Sequence, residues 1–351
     1  MKRLAALLLA LACQLPALAD DHAVVLVYHH VSESTPALTS VTPQVFDSHL
    51  DYLEANGFNV WPLARILSTL AAGDALPANT VAITFDDAYE SVYLEAYPRL
   101  RKRGWPFTLF VASEPVDRGY AGYLGWQQLR RLAEAGIELG NHSHSHAHLV
   151  RRLDGESATQ WRQRVSGDIG TAAARLREET GSESRLFAYP YGEHSPELKD
   201  IVRELGYLGI AQQSGAVGAV SDFLALPRFP MASGFADLQR FATAVNARPL
   251  PVTVARAGGA ANHRPIETLE LTLAAGEYRV AQLACYRATG VRLQVEVITE
   301  QPLTLSVPLS GAQNAGRHKI NCTAPARSGG GWFWYAFQWL VTHPDGSWYR
   351  E

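Results

Sequence analysis

Thr84-Phe85-Asp86-Asp87-Ala88-Tyr89 follows an apolar run, Val81-Ala82-Ile83, that reads as a buried strand. Two adjacent carboxylates leaving such a strand are poor core residues. Burying them unpaired costs on the order of several kcal/mol, so they call for a metal, a cation or water. Neighbours on an extended chain point to opposite sides, so one aspartate can hold a metal while the other faces a different part of a site. The competing reading is an Asp-Asp N-cap in front of a helix over 89–103.

A second stretch, Gly140-Asn141-His142-Ser143-His144-Ser145-His146-Ala147-His148, follows another strand pattern, Ile137-Glu138-Leu139. His142 and His146 are four apart, so on one helical turn both imidazoles face the same way. Two imidazoles and a carboxylate are a common catalytic ligand set for a divalent metal, with an open position for water. A His-rich tract that scavenges metal without chemistry is the weaker reading. Both stretches fall at strand ends, where α/β folds build their sites.

Thr84-Phe85-Asp86-Asp87 followed by Asn141-His142-Ser143-His144-Ser145-His146 resembles the first two motifs of the polysaccharide deacetylases, carbohydrate esterase family 4. The resemblance spans about residues 24–245. It implies a metal-dependent hydrolase that removes acetyl groups from N-acetylhexosamine polymers, and a distorted (β/α) barrel of about seven strands.

Composition sets the outer bounds. A chain of 351 residues allows one large domain and a small one. The 31 basic and 34 acidic residues balance to a formal charge of −3, which offers no argument for nucleic acid or for tight adhesion to an anionic membrane. Met1-Lys2-Arg3, an apolar run and Ala17-Leu18-Ala19 read as a signal peptide over 1–19, so a periplasmic or secreted protein is expected. Gln14 and Pro16 keep the apolar run too short to span a bilayer, and no transmembrane segment is expected after signal removal. A lipoprotein anchored through Cys13 is the weaker alternative, since Ala10-Leu11-Ala12 matches the usual signal poorly. The remaining cysteines, Cys285 and Cys322, suggest a disulfide in an oxidising compartment, against two buried thiols.

In chain order, residues 24–31 read as a first strand that turns polar at His29 and His30. Thr42 and Pro43 open a helix as N-cap and N1, and 63–72 forms a second helix closed by Gly73. The aromatic loop 120–126 ends in Trp126, placed either to stack on a sugar face or to cap the barrel. Residues 157–180 form a long charged helix, 195–205 a further one, and 237–245 closes the large domain. Arg248-Pro249-Leu250-Pro251 reads as a stiff linker. Beyond it, 268–273, 278–284, 291–298 and 303–307 alternate without helical period, which predicts a small antiparallel β-sandwich over 252–351 beside the deacetylase domain at 20–247. Trp332 to Trp339 is dense in aromatics, alternate ones filling a core rather than binding sugar rings.

The resemblance assigns roles. Asp87, His142 and His146 hold the metal, Zn²⁺ first and Co²⁺ or Ni²⁺ next, and Asp86 is the base. His29 matches the histidine of a Tyr-His pair that serves as general acid in the branch with this motif at the N-terminus. Pro190-Tyr191-Gly192 resembles the third motif, in which the aromatic residue's N–H holds the oxyanion. Many members carry an arginine two residues before that proline, paired with the base. Here the position is Ala188, and Arg228 is the candidate replacement, placed as it leaves a strand end. The expected substrate is an acetylated glycan, β-1,6-linked poly-N-acetylglucosamine first. An O-acetyl esterase and a non-catalytic polysaccharide-binding protein are the alternatives. Oligomeric state is not legible.

Overall fold

A computed structural model describes residues 19–232, 234–258, 263–309, 311 and 313–350. The signal-peptide reading and Cys13 lie outside the described residues.

Six parallel strands form the heart of the large part: β1 (His22–Tyr28), β2 (Thr80–Phe85), β3 (Thr108–Val111), β4 (Glu138–Asn141), β5 (Leu186–Ala188) and β6 (Leu208–Ile210), lying side by side in the order 6-5-4-3-2-1. β7 (Ala216–Gly218) adds antiparallel to the start of β1 and completes a seven-strand path. β8 (Phe229–Pro230) pairs in parallel with the end of β1. Just upstream, Leu226 bridges Ile210 of β6. The segment from Leu226 to Pro230 therefore ties the last strand to the first, and the curled sheet meets itself across it.

The strands are apolar on both faces because both are covered, as parallel sheets require. Leu26, Ile83, Phe85 and Leu109 pack toward α1 (Pro43–Ala55) and α3 (Tyr97–Lys102). Val25, Ala82, Phe110, Ala188 and Ile210 share a second cluster with Leu63, Ile66, Leu67 and Leu70 of α2 (Leu63–Ala72). Helix ends follow local chemistry. Thr42 accepts from the Val45 N–H to cap α1, and Gly73 closes α2 at φ 75°. Four further helices are α4 (Ser113–Asp117), α5 (Trp126–Glu134), α6 (Ala158–Thr180) and α7 (Pro196–Glu204), and α8 (Leu238–Val245) ends the large part.

The helix expected over 89–103 is present, but it does not start on the aspartates. Asp87 and Ala88 are left-handed at φ 74° and 62°, and Tyr89 bridges Tyr123. The segment is helical from Glu90, with a π turn at Val92–Ala96 that runs into α3. Asp86 and Asp87 are thus no helix cap.

After α8 come two sheets around one apolar cluster. One holds β9 (Arg248–Pro249), β12 (Ala284–Arg287), β13 (Arg292–Leu293), β16 (Gly316–Pro325) and β17 (Trp332–Val341), and the other β10 (Val252–Ala257), β11 (Thr268–Leu273), β14 (Glu296–Glu300) and β15 (Leu303–Pro308). The stiff linker is corrected: Arg248–Pro249 pairs with Phe333 and Trp334 as an edge strand, where proline is tolerated. The strand expected over 278–284 is instead a 3₁₀ turn at Val280–Gln282 beside β12. Cys285 and Cys322 face each other on β12 and β16 and are disulfide-bonded.

The aromatic strand β17 serves two cores at once. Phe333, Trp339 and Val341 point into the sandwich, joined by Tyr335 and Phe337. Its other face meets the barrel: Trp334 packs edge-on against Phe229, with ring centres 5.3 Å apart, and Leu340 joins the cluster around α6 and α7.

Candidate active site

Asp86 and Asp87 leave β2 at its C-terminal end, and the left-handed backbone at Asp87 turns the two carboxylates apart. Asp87 Oδ1 lies 3.1 Å from His142 Nε2 and 3.0 Å from His146 Nε2. These three ligand atoms all fall within 4.8 Å of one another.

The two histidines do not share a helical turn, contrary to the sequence expectation. Residues 142–148 form an irregular loop with Ser143 at φ 67° and His146 at φ 53°. Hydrogen bonds to that loop replace helical ones. Asn141 Oδ1 accepts from the Ser143 N–H at 2.8 Å, Ser143 Oγ from the His146 N–H at 3.0 Å, and Asp168 of α6 from the His144 N–H at 2.8 Å. The i, i+4 spacing brings the rings together through this wrap, with ring centres 4.9 Å apart.

The donor set fits a cation. His142 Nδ1 sits 2.7 Å from the Ala188 carbonyl, so Nδ1 carries the proton and Nε2 turns its lone pair toward Asp87. Asp87 Oδ1 is buried with no hydrogen-bond partner. Burial pushes the Asp87 carboxyl up, but the two imidazoles beside it, His142 first and then His146, hold it well below the usual range. Burial opposes a charged His142, yet Asp87 and Asp86 raise its pKa above the ordinary value. An orphaned oxygen and two imidazole nitrogens converging on one point, in a field that favours positive charge, match a divalent-metal site.

Asp86 is fully buried and faces the other way. Arg228 forks onto it, Nη1 to Oδ1 and Nη2 to Oδ2 both at 2.7 Å, and is itself fully buried. The guanidinium is over-determined: Nε donates to the Ala211 carbonyl at 2.8 Å and Nη1 also to Thr84 Oγ1 at 3.1 Å. Burial pushes the Asp86 carboxyl up, but Arg228 above all, with His142, brings it below its ordinary value. Arg228 enters the short strand β8 rather than leaving a strand, and the barrel-closing segment aims its side chain inward. Ala188, where the resemblance leads one to expect the arginine, is buried in the inner cluster.

His29 falls in the break between β1 and the short strand His30–Val31, half-buried and near enough to Asp86 to help lower its pKa. His30 is buried and stacked on Tyr89, with ring centres 3.7 Å apart. Pro190–Gly192 forms a tight turn with Tyr191 at φ 59°. The Tyr191 ring lies flat on His148, 3.9 Å between centres, and 4.8 Å from His146. Trp126 donates its Nε1–H to Asp117 at 2.8 Å, and Arg175 lies over its ring at 5.2 Å.

Several neighbours escaped the sequence reading. Gln212 Nε2 donates to Asp86 Oδ2 at 3.2 Å, and Glu193 Oε2 pairs with His148 Nδ1 at 2.8 Å. A lone glutamine and a lone glutamate in loops carry no motif by which to find them.

A curled parallel barrel with an Asp-His-His cluster and an Arg-clamped aspartate at its strand ends is the architecture of a hydrolase that activates water. Comparison with known proteins says which kind. Residues 73–210 match the family model for polysaccharide deacetylases. The poly-beta-1,6-N-acetyl-D-glucosamine N-deacetylase of Escherichia coli K12 is 26% identical over 257 residues, covering 62% of this chain but only 38% of that protein. The enzyme of that name from Staphylococcus epidermidis is 27% identical over 195 residues, covering 54% of this chain and 67% of the relative. Among solved structures, IcaB from Ammonifex degensii aligns with a TM-score of 0.56 at 28% identity over 63% of this chain and 96% of that one. Residues 73–210 therefore carry a polysaccharide deacetylase domain, similar to hydrolases that act on amide bonds.

Proposed function

We propose that this chain is a metal-dependent N-deacetylase of an N-acetylglucosamine-containing polysaccharide, with the β-1,6-linked polymer as first substrate, releasing acetate. The observation that carries the reading is the pair of opposed aspartates, Asp87 joined to His142 and His146 and Asp86 clamped by Arg228. The choice of polymer rests on the named activity of the Escherichia coli and Staphylococcus relatives.

Asp87, His142 and His146 would hold the cation, Zn²⁺ first. When bound, such an ion acidifies an attacking water and acts as a Lewis acid toward the acetyl carbonyl. Asp86, kept ionised by Arg228, takes the proton from the attacking water. The Tyr191 N–H, presented by the Pro190 turn, faces the developing oxyanion. His29 gives its proton to the leaving amine, so the glycan departs as a free amino sugar unit. An exported protein with residues 1–19 as signal, 20–247 as the catalytic domain and 252–351 as an accessory sandwich is the accompanying proposal, supported by the Cys285–Cys322 disulfide. Among the described residues no helix is long and apolar enough to cross a membrane.

The test is acetate release across a panel of N-acetylated and O-acetylated glycans, with and without chelator. Release from the β-1,6-linked polymer that stops on chelation and returns with Zn²⁺ is expected. Release from O-acetyl esters alone would make the protein an esterase. His142→Ala should abolish release and lower bound metal by at least ~10-fold, and full metal occupancy in that variant would remove the ligand assignment.

A further inference from the structure

The turn at Pro190–Gly192 carries two successive left-handed residues, Tyr191 at φ 59° and Gly192 at φ 67°. For tyrosine that conformation costs about 1–2 kcal/mol, and such strain persists only where the surroundings enforce it. The barrel supplies part of the enforcement: the Gly192 N–H is donated to the Tyr189 carbonyl at 2.8 Å, and the Tyr191 ring is stacked on His148. The two carbonyls of the strained residues are held from outside the barrel. Gln338 Nε2, on β17, donates to the Gly192 carbonyl at 2.7 Å, and Arg317 Nη1, on β16, donates to the Tyr191 carbonyl.

These contacts follow from strand alternation. On β16, Ile320, Cys322 and Ala324 fill the sandwich, so Arg317 lies on the opposite face, toward the barrel. On β17, Gln338 lies between Phe337 and Trp339, which pack into the sandwich. Arg317 and Gln338 sit near each other on the paired strands, where His318 faces Trp339 and Lys319 faces Gln338. One patch of the sandwich thus grips two adjacent peptide groups of the turn.

We infer that the C-terminal sandwich is a working part of the catalytic site: Arg317 and Gln338 are positioning residues that fix the peptide planes of the Tyr191–Gly192 turn and so aim the Tyr191 N–H. The inference rests on the proposed role of Tyr191 as oxyanion donor. Loss of one such donor costs about 10²–10³ in turnover, and misplacement by ~1 Å costs about 10²-fold. Loosening the grip should therefore lower kcat by roughly 10- to 100-fold while leaving KM and bound metal near wild type.

The experiment uses the full chain with three variants: Gln338→Ala, Arg317→Ala and Asn321→Ala. Asn321 accepts from Trp334 Nε1 at 3.1 Å on the same face of the junction but makes no bond to the turn, so it reports generic loosening. Acetate release gives kcat and KM, metal analysis gives occupancy, and hydrogen exchange reads the amides of residues 191–193. The expected result is a lower kcat and faster exchange at 191–193 for Gln338→Ala and Arg317→Ala, with Asn321→Ala unchanged in both. Arg317→Lys, which keeps a donor, should recover part of the loss. Unchanged kcat and exchange in the first two variants, or an equal effect of Asn321→Ala, overturns the inference. Wild-type protein that releases no acetate would refute the deacetylase reading instead, and the exchange data would still decide whether the sandwich holds the turn.

Discussion

The site's electrostatics turn on two residues, Asp86 and Arg228. Both side chains are fully buried, and two charges in a low-dielectric interior are tolerable only when every donor and acceptor is met. The fork, Thr84 Oγ1 and the Ala211 carbonyl meet that demand on the arginine side, and Gln212 adds a donor on the aspartate side. A lysine at this position offers a point charge and cannot make the planar double contact. Arg228→Lys is expected to retain metal and lower turnover by about 10²-fold, because Asp86 loses its fixed orientation. Steady-state kinetics with metal analysis on the purified variant checks this. A variant with wild-type turnover would show that the fork serves stability alone.

At the scale of elements, the site is built from loops that the strands and helices hold in unusual conformations. The His142–His146 loop hangs on one carboxylate, Asp168 of α6, which accepts from the His144 and Ser145 N–H groups. Asp168→Ala leaves those donors unmet at about 1–3 kcal/mol. It should lower the melting temperature and weaken metal affinity about 10-fold, as losses beyond the ligands themselves do. Calorimetry and metal titration read the two effects separately. The turn at Gly192 is a second case. Its φ of 67° is left-handed, and an added Cβ would fall 2.6 Å from Gln212 Cβ. Gly192→Ala must push Gln212, which bonds Asp86, so turnover should fall while the His-bound metal stays. A melting curve and kcat for this variant settle it, and an unaltered kcat would mean that Gln212 yields without consequence.

At the scale of the whole molecule, the junction between barrel and sandwich holds a lysine that burial makes uncomfortable. Lys319 Nζ donates to the Gln212 carbonyl at 3.3 Å, and burial, helped by Arg317, pushes its pKa down from 10.5 to about 8. Between those values the unfolded chain binds the proton and the folded chain does not, so stability from this group rises with pH from about 8 toward 10.5. Below pH 8 both states are protonated and the penalty is constant. Lys319→Met should be more stable than wild type at pH 7, and the difference should shrink as pH climbs through that window. Denaturant titrations of both proteins at pH 7 and pH 10 make the comparison, and a difference independent of pH would rule out the lysine as its source.

What the chain announces locally and what it leaves to assembly divide along a physical line. Features set within a few residues were legible. The cap at Thr42, the helix starts at Ser157 and Ser195 and the stop at Gly73 depend on one side chain or one backbone conformation. The alternation of Thr268–Leu273 and the apolar run into Asp86 depend on strand period. The residue types of the Asp-His-His cluster were legible because their chemistry has few other uses at strand ends. How those residues meet was not. The i, i+4 spacing suggested a helical turn, but side-chain bonds from Asn141, Ser143 and Asp168 outcompeted helical ones and wrapped the loop instead. Sequence singled out Arg228 as a candidate. Only the closure of the barrel, bringing position 228 across 142 residues to Asp86, makes the contact. The grip of Arg317 and Gln338 on the Tyr191 turn lay further still from any local signal. It depends on which face of two strands is left over once a separate core has been filled, and that is a property of packing.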